Sequence, residues 1–312
     1  MAARRTIPPP KNSLTDERRI QTKMRMCVRC LGSAATLALG LILFAHATGA
    51  QTQPTAQSAP IPHGTVELVA ENQWIAPAHD FHLGLHFKLE KGWHIYWVNP
   101  GDSGEPPRID WKLPAGITAK AIEWPTPERL GTSSIVDYGY QDDVMLIVPM
   151  HADPNVAQPA PAQFAAQLKV LVCREMCIPG KAQVSLALPI KSQPPPPDRG
   201  NSALFATARQ SLPRPAPASW KFKLSEQKDS FTLVGILGRQ ISNAVFFPLD
   251  ESQINNSASQ KVVPAATGFE MTLPKSDQLL KPIARLRGVL VLSADRAYAI
   301  DVPVSKPAVL KN

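Results

Sequence analysis

Between Phe81 and Leu89, apolar Phe81, Leu83, Leu85, Phe87 and Leu89 alternate with His82, Gly84, His86 and Lys88. Period two places the apolar set on one face, as in a strand with one side turned to a core. Shorter stretches of the same kind predict strands at Thr65–Ala70, Trp93–Val98, Ile117–Trp124, Val144–Pro149, Phe164–Val172 and Ala182–Leu188. Turn chemistry separates them, as in Asn99-Pro100-Gly101-Asp102 and Pro125-Thr126-Pro127. About seven short antiparallel strands with no helix-length amphipathic pattern between them are the signature of an immunoglobulin-like β-sandwich.

The rhythm breaks over residues 191–219, where KSQPPPP, a short helix-like ALFATARQ and SLPRPAPAS predict a Pro-rich linker with a short helix. Alternation returns from Trp220 in Phe222/Leu224, Phe231/Leu233, Phe269/Met271/Leu273, Val289/Val291 and Tyr298/Ile300/Val302. The expected organisation is an all-β protein with two immunoglobulin-like sandwiches. Residues 64–190 form the first and 220–304 the second. A flexible lead-in spans 51–63, and 305–312 is a tail.

Composition sharpens the N-terminal end. Of 312 residues 32 are proline, and interior proline costs about 3 kcal/mol in a helix, which disfavours a helical bundle. The formal charge is +8, but residues 1–50 hold eight basic side chains and two acidic ones. The remainder is nearly neutral. After the basic stretch, Leu31–Ala45 carries no charge, and small Thr48 and Ala50 follow. A basic segment, a short apolar run and a small-residue exit predict a secretory signal over 1–50. The run falls short of the roughly 20 residues needed to span a bilayer, and no second apolar run of that length follows, so the mature chain is expected to lack a transmembrane span and to be periplasmic or secreted. Cys27 and Cys30 lie inside this segment and would leave with it. With the basic excess removed, nucleic acid is not an expected partner.

Cys173 and Cys177 are then the cysteines of the mature chain, in VLVCREMCIPGK. In a straight strand their Cα atoms would stand about 13 Å apart; a tight turn over Arg174-Glu175-Met176 brings them within bridging reach. Three readings stand open. The pair is a structural staple, as an even cysteine count in an exported protein suggests. A loop of five residues, however, gains only about 2 kcal/mol from closure. The pair is a redox dithiol, with Arg174, Lys169 and Lys181 favouring a thiolate and Glu175 opposing it. Or Cys173, Met176 and Cys177 supply soft ligands of the kind that select Cu(I).

Long segments resemble the N-terminal periplasmic region of the DsbD thiol–disulfide interchange family, above all its ScsB-like branch. They are GWHIYWVNPGDSGEPPRIDWKLPAG (92–116), IEWPTPERL (122–130), YGYQDDVMLIVPM (138–150), VLVCREMCIPGKAQVSLALP (170–189) and, in the second half, AVFFPLDESQINNSASQ (244–260). The resemblance implies an immunoglobulin-like domain that exchanges disulfides without a cofactor, in the manner of a protein-disulfide reductase. Cys177 would be the attacking thiol and Cys173 the resolving one. The implied partners are a membrane-embedded DsbD- or ScsB-like electron donor and periplasmic thioredoxin-fold or disulfide-bonded proteins. Family members continue into a transmembrane domain, so here the donor is expected to be a separate molecule.

Other side chains carry a functional and a plainer reading. Tyr138 and Tyr140, with the Asn99–Gly104 loop, would shield the cysteines as a cap does in the family; turn and core roles are the plainer expectation. Trp93, Trp97, Trp111 and Trp124 are expected in the core. His82 and His86 share a strand face at metal-binding spacing, or are solvated there. Asp102, Glu105, Asp142 and Asp143 are candidate proton acceptors for a thiol. The sequence has no Gly-rich phosphate loop, no GxSxG and no HExxH, which disfavours nucleotide and hydrolase chemistry.

Overall fold

The computed structural model describes residues 58–131, 134–156 and 161–305. The segment expected to be a signal, including Cys27 and Cys30, lies outside the described residues, as does the expected tail beyond 305.

The first half contains strands β1 (Ser58–Ile61), β2 (Gly64–Ala70), β3 (Asp80–Leu89), β4 (His94–Gly101), β5 (Arg108–Lys112), β6 (Ile117–Ala119), β7 (Glu128–Gly131), β8 (Val136–Gln141), β9 (Asp143–Ala152), β10 (Ala162–Cys173) and β11 (Cys177–Leu188). They form two sheets, one ordered β1-β2-β3-β9-β6 and the other β11-β10-β4-β8-β7, with β5 also pairing β10. The alternating residues of β3 (Phe81, Leu83, Leu85, Phe87) meet those of β10 (Phe164, Ala166, Leu168, Val170, Val172) in one core between the sheets. Burying each of these Phe, Leu and Val side chains stabilises the fold by about 1.5–3 kcal/mol. This is the expected β-sandwich.

Local expectations shift in three places. Residues 58–61, read as part of a flexible lead-in, form β1 against β2, because Ala59 and Ile61 point into the core. The strand expected at Ile117–Trp124 stops at Ala119, ahead of the proline-punctuated segment, with only Glu123 bridging Ile147 beyond it. Strands β5, β7 and β8 fill the gaps that the alternation leaves unread.

The proline-rich stretch is tied down to the first sandwich. Ile75 bridges Ile190, and the Trp74 indole N–H donates to the Gln193 carbonyl at 2.9 Å. Helix α1 (Ser202–Gln210) then lays fully buried Phe205 on the outer side of the first sheet, among Val69, Met145 and Ile147. Gly84 leaves the room for it, since a Cβ there would come within 2.6 Å of Met145 Sδ and 3.2 Å of Phe205 Cζ. Arg209 pairs with Glu71. Burial pushes the Glu71 carboxyl up, but Arg209 and His82 outweigh it and hold it below its ordinary value. This clamp is therefore complete above the ordinary glutamate range and is lost as pH falls through the lowered folded value. A Phe205→Ala variant is expected to lose about 3–5 kcal/mol in urea unfolding. A loss under about 1 kcal/mol would show that the helix does not hold to the sheet.

The second half contributes β12 (Arg214–Pro215), β13 (Lys221–Glu226), β14 (Ser230–Ile236), β15 (Val245–Pro248), β16 (Lys261–Ala265), β17 (Gly268–Pro274), β18 (Arg285–Ser293) and β19 (Arg296–Ser305). They belong to one sheet of eight strands, ordered β15-β18-β19-β13-β14-β17-β16 with β12 on β19. Strand β19 serves both wings, pairing β18 antiparallel and β13 in parallel. Leu224, Phe231, Phe246, Phe269, Leu286 and Leu290 from both wings close on a second core. Phe247, Val289 and Ala297 instead join the first core, so apolar packing runs from one half into the other.

Candidate redox site

The β10–β11 hairpin is paired residue by residue from Ala162↔Leu188 to Cys173↔Cys177. Its tip is the Arg174-Glu175-Met176 turn, where the Arg174 N–H donates to the Met176 carbonyl at 3.2 Å. The turn brings the two cysteine Cα atoms to 4.1 Å, and their sulfurs are bonded. Val170 and Val172 point into the core, so Cys173 projects from the opposite face of the sheet. Directly opposite residues of antiparallel strands share a face. Cys177 on β11, Cys173 on β10 and His94 on β4 therefore form one outward row.

The two sulfurs are unequal. Cys173 is only 2% exposed, although it stands on the outer face, whereas Cys177 is exposed at the tip. Tyr96, two residues from His94 and on its face, sets its hydroxyl 3.4 Å from Cys177 Sγ, and its ring meets His94 edge-on at 5.2 Å. Tyr96 is itself fully buried, because the Asp102–Gly104 turn lies on its ring. Burial first, and then the nearby Asp137 carboxylate, push the Tyr96 phenol up to about 12. It stays protonated at neutral pH and can donate to a thiolate at Cys177. Burial lowers the His94 pKa, and its Nε2 has no hydrogen-bond partner.

The roof loop is secured on both sides. Asp102 accepts from the Val136 N–H at 2.8 Å, and Asp137 accepts from the Ser103 hydroxyl at 2.9 Å. From the second half, the Pro248 carbonyl accepts from Asn99 Nδ2 at 2.7 Å, and Asn256 Nδ2 donates to Asp102 at 2.9 Å. At the hairpin tip the Arg174 guanidinium lies 5.0 Å over the Trp93 ring, which stacks on His63 at 3.6 Å. Arg174 also donates to Glu175 at 2.6 Å and holds that carboxyl below its ordinary value.

Residues 65–189 match the family described as the N-terminal region of the thiol:disulfide interchange protein DsbD. The match spans nearly all of the first sandwich. Among solved structures, the N-terminal periplasmic domain of ScsB from Proteus mirabilis has a TM-score of 0.62 at 17% identity, covering 81% of this chain and 99% of that one. At such identity it speaks for the fold, and it extends the likeness into the second half. The periplasmic chaperone SfaE also aligns, at 10% identity over 77% of this chain and 100% of that one, but its TM-score of 0.21 carries no argument. No curated protein matches the sequence.

Within the matched domain, Tyr138 and Tyr140 take the plainer core roles and do not shield the cysteines. Tyr138 donates to Asn256 Oδ1 at 2.9 Å and Tyr140 to the Pro125 carbonyl at 2.8 Å, both in the buried interior. Tyr96 is the tyrosine that reaches the site, through its hydroxyl at Cys177 Sγ. The Asn99–Gly104 loop does form the roof. None of the four candidate carboxylates bonds to a cysteine. Asp102 anchors the roof, Glu105 pairs with Arg108, Asp142 sits in a turn at φ 59°, and Asp143 binds His86. His86 is buried between Glu67 and Asp143, and His82 bonds Glu71, so the two histidines are neither a metal pair nor simply solvated. Among the described residues no cluster of three His, Cys, Asp or Glu could hold a metal. Met176 is 67% exposed, and the disulfide occupies both sulfurs of the Cu(I) set. Trp93, Trp97, Trp111 and Trp124 all pack in or on the first core, as expected. Lys169 and Lys181 face each other four residues from the cysteines, about 13 Å along the strands and too far to act strongly on a thiolate through solvent.

Proposed function

We propose that the protein relays reducing equivalents from a membrane-embedded DsbD-like donor to oxidised periplasmic proteins through Cys173 and Cys177. The observation that carries this reading is the inequality of the two sulfurs on a thiol:disulfide interchange domain. One is open at a hairpin tip, and its partner is buried directly behind it. In the reduced protein the Cys177 thiolate attacks a substrate disulfide and expels one substrate thiolate. The Cys173 thiolate then attacks Cys177 Sγ, releases the second substrate thiolate and restores the Cys173–Cys177 bond. Two electrons pass to the substrate. Recharging runs in reverse: one donor thiolate attacks Cys177 Sγ and Cys173 leaves as thiolate. The donor's second thiolate then attacks the donor sulfur of that mixed disulfide, expels Cys177 as thiolate and leaves the donor oxidised. The Tyr96 hydroxyl supports a sulfur that becomes anionic in each direction. A periplasmic location agrees with the ScsB likeness and with the signal expected over 1–50.

Equilibration in glutathione buffers of defined ratio, followed by alkylation and mass spectrometry, tests the reading. The pair is expected to titrate between dithiol and disulfide near the glutathione potentials. A bond that stays intact far below about −300 mV would mark a staple and overturn the proposal.

A further inference from the structure

The outer face of the β10–β11 hairpin is ordered in rows by its register. Two rows from the disulfide, Arg108 on β5, Lys169 on β10 and Lys181 on β11 stand directly opposite one another. All three are exposed. Like charges placed opposite each other in a sheet repel, so nothing in folding favours this row. Arg108 is offset by Glu105 at 3.2 Å, while Lys169 and Lys181 form no ion pair among the described residues. Glu105 also lines this face, and Asp110 stands one row farther from the disulfide.

Between the basic row and the cysteines lies the pair Leu171↔Pro179. Strand β5 leaves β10 at Lys169 and β4 joins it only at Cys173, so the sheet has a gap beside residues 170–172. A groove of about 580 Å³ opens there, with Pro106 on its wall. It is basic at one end and apolar along its floor, and the open sulfur of Cys177 lies just beyond its other end.

We infer that this groove docks an acidic, extended segment of the protein substrate, with the substrate's reacting cysteine over Cys177 and its carboxylates on Arg108, Lys169 and Lys181. This deepens the reading of the site as a thiol–disulfide exchanger and rests on it. The basic row lies four residues along the strand from the cysteines, about 13 Å, so the carboxylates belong about three to five residues from the substrate cysteine.

The test uses homodimeric disulfides of two peptides, one with glutamates and one with lysines three to five residues from a single cysteine. Neutral hydroxyethyl disulfide serves as a third oxidant. The reduced protein is expected to reduce the glutamate peptide about tenfold faster than the lysine peptide at low salt, a modest case of electrostatic steering. The preference should collapse in a Lys169→Gln/Lys181→Gln variant and at high salt, with the hydroxyethyl disulfide rate unchanged. Equal rates for both peptides, or a preference that survives in the variant, would overturn the docking proposal while leaving the exchange reading intact. If hydroxyethyl disulfide is not reduced at all, the exchange reading fails. Fluorescence anisotropy of a cysteine-free glutamate peptide then decides the groove. Binding that the variant abolishes supports it, and no binding overturns it.

Discussion

A Cys177→Ser variant is expected to lose disulfide exchange completely, and a Cys173→Ser variant to stop one step later, as a covalent adduct with its substrate. A partner's sulfur can reach Cys177 at the exposed tip, but Cys173 is buried in its own hairpin beside His94 of β4. With serine at 177 the remaining thiol is buried, and with serine at 173 the attacking thiol has nothing to resolve it. Both variants should fold, because a five-residue loop closure contributes only about 2 kcal/mol. Non-reducing electrophoresis and mass spectrometry with a disulfide-bonded substrate provide the readout. Adducts from Cys177→Ser and none from Cys173→Ser would reverse the two roles.

How far the sequence could foresee this site depended on which faces of its strands are buried. Phe81–Leu89 alternates because β3 has a core side and a polar side, so its bounds were legible to within a residue. Strand β10 was legible for the same reason. Strand β11 was not legible at its start, since Cys177, Pro179 and Lys181 point outward and leave no apolar alternation. In β4 the run His94-Ile95-Tyr96-Trp97 is buried on both faces, which erases the period. Tyr96 was missed on that account, and Tyr138 and Tyr140 were considered in its place. The unbroken run was itself the available signal, because a strand buried on both sides requires something to cover its outer face. The basic row was half legible. Lys169 and Lys181 flank the cysteines in sequence, but Arg108 is far from them and only register brings it into the row.

The second half also gains a physical role from the contacts it makes. Asn256 is 6% exposed, accepts from Tyr138, donates to Asp102, and through its carbonyl receives Arg129 at 2.6 Å. Phe247 packs edge-on against both Trp97 and Tyr138. These residues brace the back of β4 and β8 and the outer side of the roof loop. The disulfide site is thus set between its own hairpin and a loop that the second half holds in place.

Gly104 is where that roof is most easily broken. Its φ is +81°, and a Cβ at this position would lie 2.1 Å from Tyr96 Cζ. Gly104→Ala therefore meets two penalties, about 1–2 kcal/mol for a left-handed non-glycine residue and about 1–3 kcal/mol for overpacking. The loop has little freedom to absorb them while Asn99 and Asp102 are tied to the second half, so the Tyr96 ring must give. The variant is expected to lose about 3 kcal/mol in denaturant unfolding, within that range. Its disulfide should also be reduced faster by dithiothreitol, because the Tyr96 side chain no longer stands 3.4 Å from the attacked Cys177 sulfur. A pH signature separates this from general loosening. Burial raises the wild-type Tyr96 pKa to about 12, against an ordinary tyrosine near 10. A group whose folded pKa is raised contributes stability that is complete below its unfolded value and is lost as pH rises through the folded one. Wild-type protein should thus lose this contribution between about pH 10 and pH 12, while Gly104→Ala, with Tyr96 displaced into solvent, should not. Ultraviolet titration of the phenols would show one tyrosine moving back toward its ordinary range. An unchanged titration together with an unchanged reduction rate would mean that the ring keeps its place and that Gly104 is not what holds the roof closed.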